Sequence, residues 1–178
     1  QQLKFTFLYN GNPQKITYTN DLGKATTDFL TSLSTGVYYY EVEFDGTNKY
    51  DSSQSTASVL VLKKPTVLET LQVNTKALEI FYASATLKNG LTDEILTDKQ
   101  RDIKFEFYDG SSTHTFIAKT YNGVAVATFT APSNSGFYSY TAQFYGDEEY
   151  DISSSTSSVY VEKRTLSIET QPVSVYIY

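Results

Sequence analysis

The sequence predicts an all-β chain of tandem antiparallel β-sandwiches, the first of them lacking its initial strands. Three observations lead there. The stretch Gly36 to Thr70 returns without a gap as Gly136 to Thr170, with Gly36, Tyr38, Tyr40, Phe44, Gly46, Tyr50, Asp51, Val59, Val61, Lys63 and Thr70 among the residues repeated identically. A fixed period of domain size means one module used more than once. Inside both copies, apolar and polar residues alternate at a period of two, the spacing of a half-buried strand. Short clusters of Gly, Asp, Asn and Ser then interrupt each run, as turns do.

The elements follow in chain order. Leu3, Phe5 and Phe7 alternate with Lys4, Thr6 and Leu8 before Asn10-Gly11-Asn12-Pro13 turns the chain. Lys15 to Thr19 and the alternation of Ala25, Thr27 and Phe29 supply the next two strands. Tyr38, Tyr40, Val42 and Phe44 form the inward face of a fourth, which Asp45-Gly46 ends. After a serine-rich loop, Val59 and Val61 point one way while Ser58, Leu60 and Leu62 point the other. Residues 1–70 recur as 101–170. In the second copy the inward set, expected to pack between two sheets, is Phe105, Phe107, Tyr138, Tyr140, Phe144, Val159 and Val161. Ala125, Ala127 and Phe129 add to it. Between the copies, Thr66 to Thr70 is a strand close behind Lys63-Lys64-Pro65, and Phe81, Ala83, Ala85 and Leu87 face inward on the next. Leu91 to Asp102 is a polar connection. About seven short strands between Pro65 and Arg164 give the pattern of an immunoglobulin-like sandwich.

Composition narrows the chemistry. The chain has 178 residues, a net charge of −6 and no basic run, so the electrostatic footprint of a nucleic-acid binder is missing. No stretch approaches the roughly 20 apolar residues of a membrane span. With no cysteine there is no disulfide or thiolate chemistry, and with His114 as its one histidine no zinc set can form. Asp147, Glu148, Glu149 and Asp151 are the best acidic cluster, a place for calcium or an ordinary charged turn. The first copy has Thr47, Asn48 and Lys49 at the matching positions, which favours the turn. Paired tyrosines read as core whose hydroxyls reach a backbone partner; exposed ones such as Tyr39, Tyr121, Tyr145 and Tyr160 leave a glycan- or protein-binding role open. No catalytic constellation and no cofactor site is expected.

Several motifs of the second copy resemble a known family. Ile103-to-Gly110 (IKFEFYDG), Asn122-Gly123-Val124-Ala125, Gly136-Phe137-Tyr138, Gly146-Asp147-Glu148-Glu149-Tyr150, Ser153-to-Ser155 and Val159-Tyr160-Val161-Glu162-Lys163 are similar to the bacterial and archaeal Ig-like repeat of cell-surface proteins. The first copy departs from it, with Asp45-Gly46 for Gly-Asp and Asn20-Asp21-Leu22-Gly23 for Asn-Gly. The resemblance implies a module that spaces, assembles or binds in adhesins, surface layers and extracellular filaments. It also implies that Lys104, with a nearby Asp or Asn, is a candidate for an intramolecular isopeptide bond.

The register divides the chain unevenly. Residues 1–64 form a module without the counterpart of 65–100, its first two strands; 65–164 form a complete module; 165–178 match the beginning of a next one. Gln171-Pro172-Val173-Ser174-Val175-Tyr176-Ile177-Tyr178 is similar to the start of the family's second strand, with Val173, Val175 and Ile177 on one face. The chain opens on Gln1 rather than methionine, as after removal of a leader or excision from a longer protein. The expectation is a non-enzymatic extracellular subunit at the surface of a bacterium or archaeon, partnered by other copies of itself through a donated terminal strand. The alternatives are a fragment of a longer repeat adhesin and a glycan- or protein-binding module.

Overall fold

The computed structural model describes residues 1–29 and 34–175. All regular structure among them is β, and the chain divides into two compact units, Gln1–Lys63 and Lys64–Tyr178.

In the second unit, alternation sorts each strand onto a core face. Strands β5 (Thr66–Thr70), β7 (Ile80–Asn89) and β10 (Val124–Thr130) form a three-stranded antiparallel sheet in the order β10-β7-β5. Facing it is a five-stranded sheet of β6 (Val73–Lys76), β12 (Ser153–Glu162), β11 (Gly136–Phe144), β8 (Asp102–Tyr108) and β9 (Thr113–Lys119) in that order. Their inner faces share one core. Leu68, Phe81, Ala83, Ala85, Leu87, Ala125, Ala127 and Phe129 come from the small sheet, and Ile103, Phe105, Phe107, Tyr140, Ala142, Phe144, Val159 and Val161 from the large one. Across the two sheets the Phe107 ring meets Phe81 at 5.0 Å and Phe129 at 5.5 Å, while alanines make up much of the rest of the small sheet's inner face. Sheets of this order, packed face to face, make an immunoglobulin-like sandwich.

The unit has eight strands where seven were expected, because the opening strand is split. β5 pairs antiparallel with β7, but after Leu71-Gln72 the chain crosses to the other sheet, where β6 runs parallel to β12 with Val73 opposite Val159 and Thr75 opposite Val161. The crossing is held by Tyr140. Its hydroxyl donates to the Leu71 carbonyl at 2.7 Å and lies 3.1 Å from that of Ser84, while the Leu71 amide donates to it at 3.2 Å. Burial pushes this phenol above its ordinary range, against the hydrogen bonds to Leu71 and Ser84.

Among the described residues of the first unit only the equivalent of the large sheet forms: β1 (Gln2–Phe7), β2 (Gln14–Tyr18), β3 (Gly36–Phe44) and β4 (Ser53–Val61), in the order β2-β1-β3-β4. The stretch 65–100, expected to hold two strands, contains three, β5, β6 and β7. Ala25 to Phe29 carries the β10 alternation yet forms no strand. The ladder partner of β10 is β7, and a strand without a ladder has nowhere to place its backbone hydrogen bonds. Gly46 and Gly146 close the same turn in both units, at φ of 85° and 80°; a Cβ on Gly146 would come within 2.9 Å of the Tyr150 carbonyl oxygen.

Candidate functional site

The inner face of the first sheet, only partly covered, carries an open groove. Phe5 and Phe7 from β1, Tyr40 from β3, and Val59 and Val61 from β4 form one wall; Ala25, Thr26, Thr27 and Phe29 form the other, around a groove of about 420 Å³. The wall has the same build as in the complete unit. Phe5 and Tyr40 rings stack at 6.5 Å, as Phe105 and Tyr140 do at 6.4 Å. The covering differs. Phe105, Phe107, Tyr140, Val159 and Val161 are wholly buried under the facing β10-β7-β5 sheet, whereas among the described residues of the first unit Phe7 and Thr6 alone are buried. Phe7 owes that to local rings, with Phe29 at 5.6 Å and Tyr38 at 6.2 Å.

The tail supplies the complementary feature. Residues 163–175 form neither strand nor helix and are exposed throughout. Val173 and Val175 are 86% and 85% exposed, and Leu166 and Ile168 more so; Ile177 lies outside the described residues. The register assigns these side chains. Ile168 corresponds to buried Leu68, and Val173 to Val73, which packs against the core. Val173 and Val175 therefore match β6, the second half of the split first strand, rather than the start of the second strand, β7. Before the tail, Arg164 donates from Nε to the Ala77 carbonyl at 2.7 Å and is fixed to its own unit.

The other sequence candidates fall as follows. Phe105, Phe107, Tyr140, Phe144, Val159 and Val161 lie in the core, while Tyr138 is only half-buried at its edge, its hydroxyl donating to the Asn134 carbonyl at 2.9 Å. The acidic turn is engaged by cations. Asp147 accepts from Arg101 Nε and from Lys99, each at 3.0 Å, and its other oxygen takes the Glu149 and Tyr150 amides. Burial works against ionisation of Asp147, yet these donors outweigh it and hold the carboxyl well below the usual range. Arg101 is almost wholly buried, also gripping Asp98, and lies 4.9 Å over the Tyr150 ring. Nothing in the sequence linked Arg101 to Asp147, which lie 46 residues apart. His114 is not merely solvated: its Nε2 is 2.7 Å from Asp109, whose carboxyl that contact and the Ser111 and Ser112 amides hold far below normal. Lys104 pairs with Glu106 at 2.7 Å on the outward face. Tyr39, Tyr121, Tyr145 and Tyr160 are all exposed, and Tyr160 stacks on Phe137 at 4.7 Å. Among the described residues no group of three His, Cys, Asp or Glu side chains could hold a metal, and no helix is long and apolar enough to cross a membrane.

The described residues are all-β, an immunoglobulin-like sandwich in the second unit and a four-stranded sheet in the first. No protein-family model matches it, and no curated protein is matched by its sequence. Among solved structures it is similar to the fibronectin(III)-like modules of Clostridium thermocellum CbhA, at 14% identity and a TM-score of 0.41, over 97% of this chain and 83% of that one. A weaker similarity is to the N-terminal four Ig domains of Dscam1 isoform 4.44, at 11% identity and a TM-score of 0.29, over 92% of this chain and 37% of that one.

Proposed function

We propose that the chain is a non-enzymatic structural subunit of an extracellular filament or layer, from a bacterium or archaeon, built head to tail by strand donation between copies. The groove lined by Phe5, Phe7, Tyr40, Val59 and Val61 carries the reading, because in the second unit the same wall is closed by a facing sheet that begins with β5 and by the edge strand β6, and the tail matches both of those strands. Seating Val173, Val175 and Ile177 would stabilise the pair by roughly 5–9 kcal/mol, at about 1.5–3 for each buried side chain. That rivals the roughly 5–15 kcal/mol total stability of a domain, so a seated strand decides whether the first unit is firmly folded. Donor and acceptor are different surfaces, so the contact is heterologous and propagates instead of closing on a pair.

Deleting Gln171 to Tyr178 should abolish assembly, seen by electron microscopy and light scattering, and leave the first unit poorly protected from hydrogen exchange. Identical fibres from the truncated chain would overturn the proposal. So would a natural protein that continues past Tyr178 into a full third module, which would make this stretch part of a longer repeat adhesin.

A further inference from the structure

Resting on that reading, we infer that the donor lies parallel to β4 in a single register, set by the Tyr40 hydroxyl and by a hydroxyl pair between Thr170 and Ser55 of the next copy. The complete unit contains the template. Besides the Tyr140 seat on Leu71, Thr70 and Ser155 place their hydroxyl oxygens 2.8 Å apart, and Val73 and Thr75 lie opposite Val159 and Val161. Every acceptor-side residue of this set is identical in the first unit: Tyr40, Ser55, Val59 and Val61. On the donor side Thr170 and Val173 are identical to Thr70 and Val73, and Val175 replaces Thr75 with a more apolar residue. Only the backbone of Leu71 is used in the seat, so Gln171 can take its place.

The match stops on either side of this segment. Lys64 bonds Glu149 through its amide and its ammonium, but their counterparts Arg164 and Lys49 are both cations. That clash, with the Arg164 bond to Ala77, keeps Arg164 in the donor and makes Thr170 the start of the docked stretch. The donor brings no β7 counterpart, so the Tyr40 hydroxyl gains the Gln171 amide and carbonyl but no partner equivalent to Ser84. Parallel strands hydrogen-bond evenly whatever the side chains, and a slip of two residues would still keep the apolar face inward. The hydroxyl contacts are what reject that slip.

The chain has no cysteine, so paired thiols report the register cleanly. Under mild oxidation, full chains carrying Leu60→Cys with Ser174→Cys, the outward pair that matches Tyr160 and Asn74, should give a ladder of covalent multimers; Ser58→Cys with Ser174→Cys should give little. Adding Tyr40→Phe should shift cross-linking toward the Ser58→Cys pairing and raise the critical concentration for assembly about fivefold, the worth of one buried hydrogen bond. Tyr39→Phe, on the outward face, should change neither. Equal yields from both pairings, or no effect of Tyr40→Phe, would overturn the inference while leaving strand donation standing. Cross-linking only within single chains, or no assembly of the unmodified protein at any concentration, would end both.

Discussion

The two units present nearly the same aromatic wall, and one is a core while the other is a surface. Tyr140 is 0% exposed with three hydrogen-bonding contacts; Tyr40, one hundred residues earlier, lines open space. The difference lies in what covers the wall. An inward-facing pattern belongs to a strand's own sequence, but burial belongs to the opposite sheet, and a single sheet with one apolar face has no independent means of hiding it.

The sharpest way to break the comparison is to truncate matched rings. Phe105→Ala should cost about 3–5 kcal/mol, as large core deletions do, and Phe144→Ala should behave alike. Phe5→Ala in unassembled chains should cost about 1 kcal/mol or less, since no second sheet is lost from it. Hydrogen exchange read unit by unit would separate the two. Equal costs would mean that the groove is closed in solution, and a Phe5 cost that grows on assembly would measure its covering.

A smaller asymmetry comes from Arg101, whose counterpart is Gln1. Arg101→Ala should cost about 1.5–3 kcal/mol in the second unit by leaving Asp147 and Asp98 without their guanidinium. Chemical denaturation would show a fall in midpoint; an unchanged midpoint would make the network decorative. Because lysine and arginine already hold Asp147, millimolar calcium should not raise the melting temperature.

Acid should narrow the gap between the units. Asp147 and Asp109 have carboxyls depressed in the folded state, so their contribution is complete above the ordinary Asp value of about 3.9. It is lost as pH falls through the folded values, where protonation removes the charge that their partners bind. The first unit has Thr47 opposite Asp147 in the repeat and should lack that loss. A second unit whose stability is flat from pH 5 to pH 2 would contradict this, on the order of the range that such shifts cover.

The least effect is expected on the outer face. Tyr160→Ser should move stability by no more than about 0.5 kcal/mol, being a surface change. A glycan array that retained the chain, and lost it with this substitution, would turn the Phe137–Tyr160 stack into a binding site.

The strands themselves were legible because alternation and turn residues are local. Phe81, Ala83, Ala85 and Leu87 face inward as their spacing dictates, and β7 ends at Asn89, just before Gly90. Three features were not. The break at Leu71-Gln72 has no glycine or proline to announce it, since a buried tyrosine from another strand holds it. The parallel ladder of β6 on β12 joins segments more than eighty residues apart in sequence, as Val73 and Val159 are. The failure of Ala25 to Phe29 to form a strand reflects a missing neighbour, which no window of its own sequence contains. The hydroxyl seat likewise joins Tyr140 to Leu71 and Ser84, residues 69 and 56 positions away.

That parallel ladder has a mechanical meaning. The chain reaches β6 from its amino-terminal side and leaves β12 at its carboxyl end, and the two strands run the same way. Tension that reaches β6 through β5 therefore pulls β6 and β12 lengthwise past each other. Every rung of the ladder is strained together, where an antiparallel pair gripped at one end would peel apart rung by rung. A tail seated parallel to β4 would inherit this loading, because the donor is pulled by its amino-terminal side and β4 by its carboxyl end. Each joint between subunits would then resist force in the same way as the unit beside it.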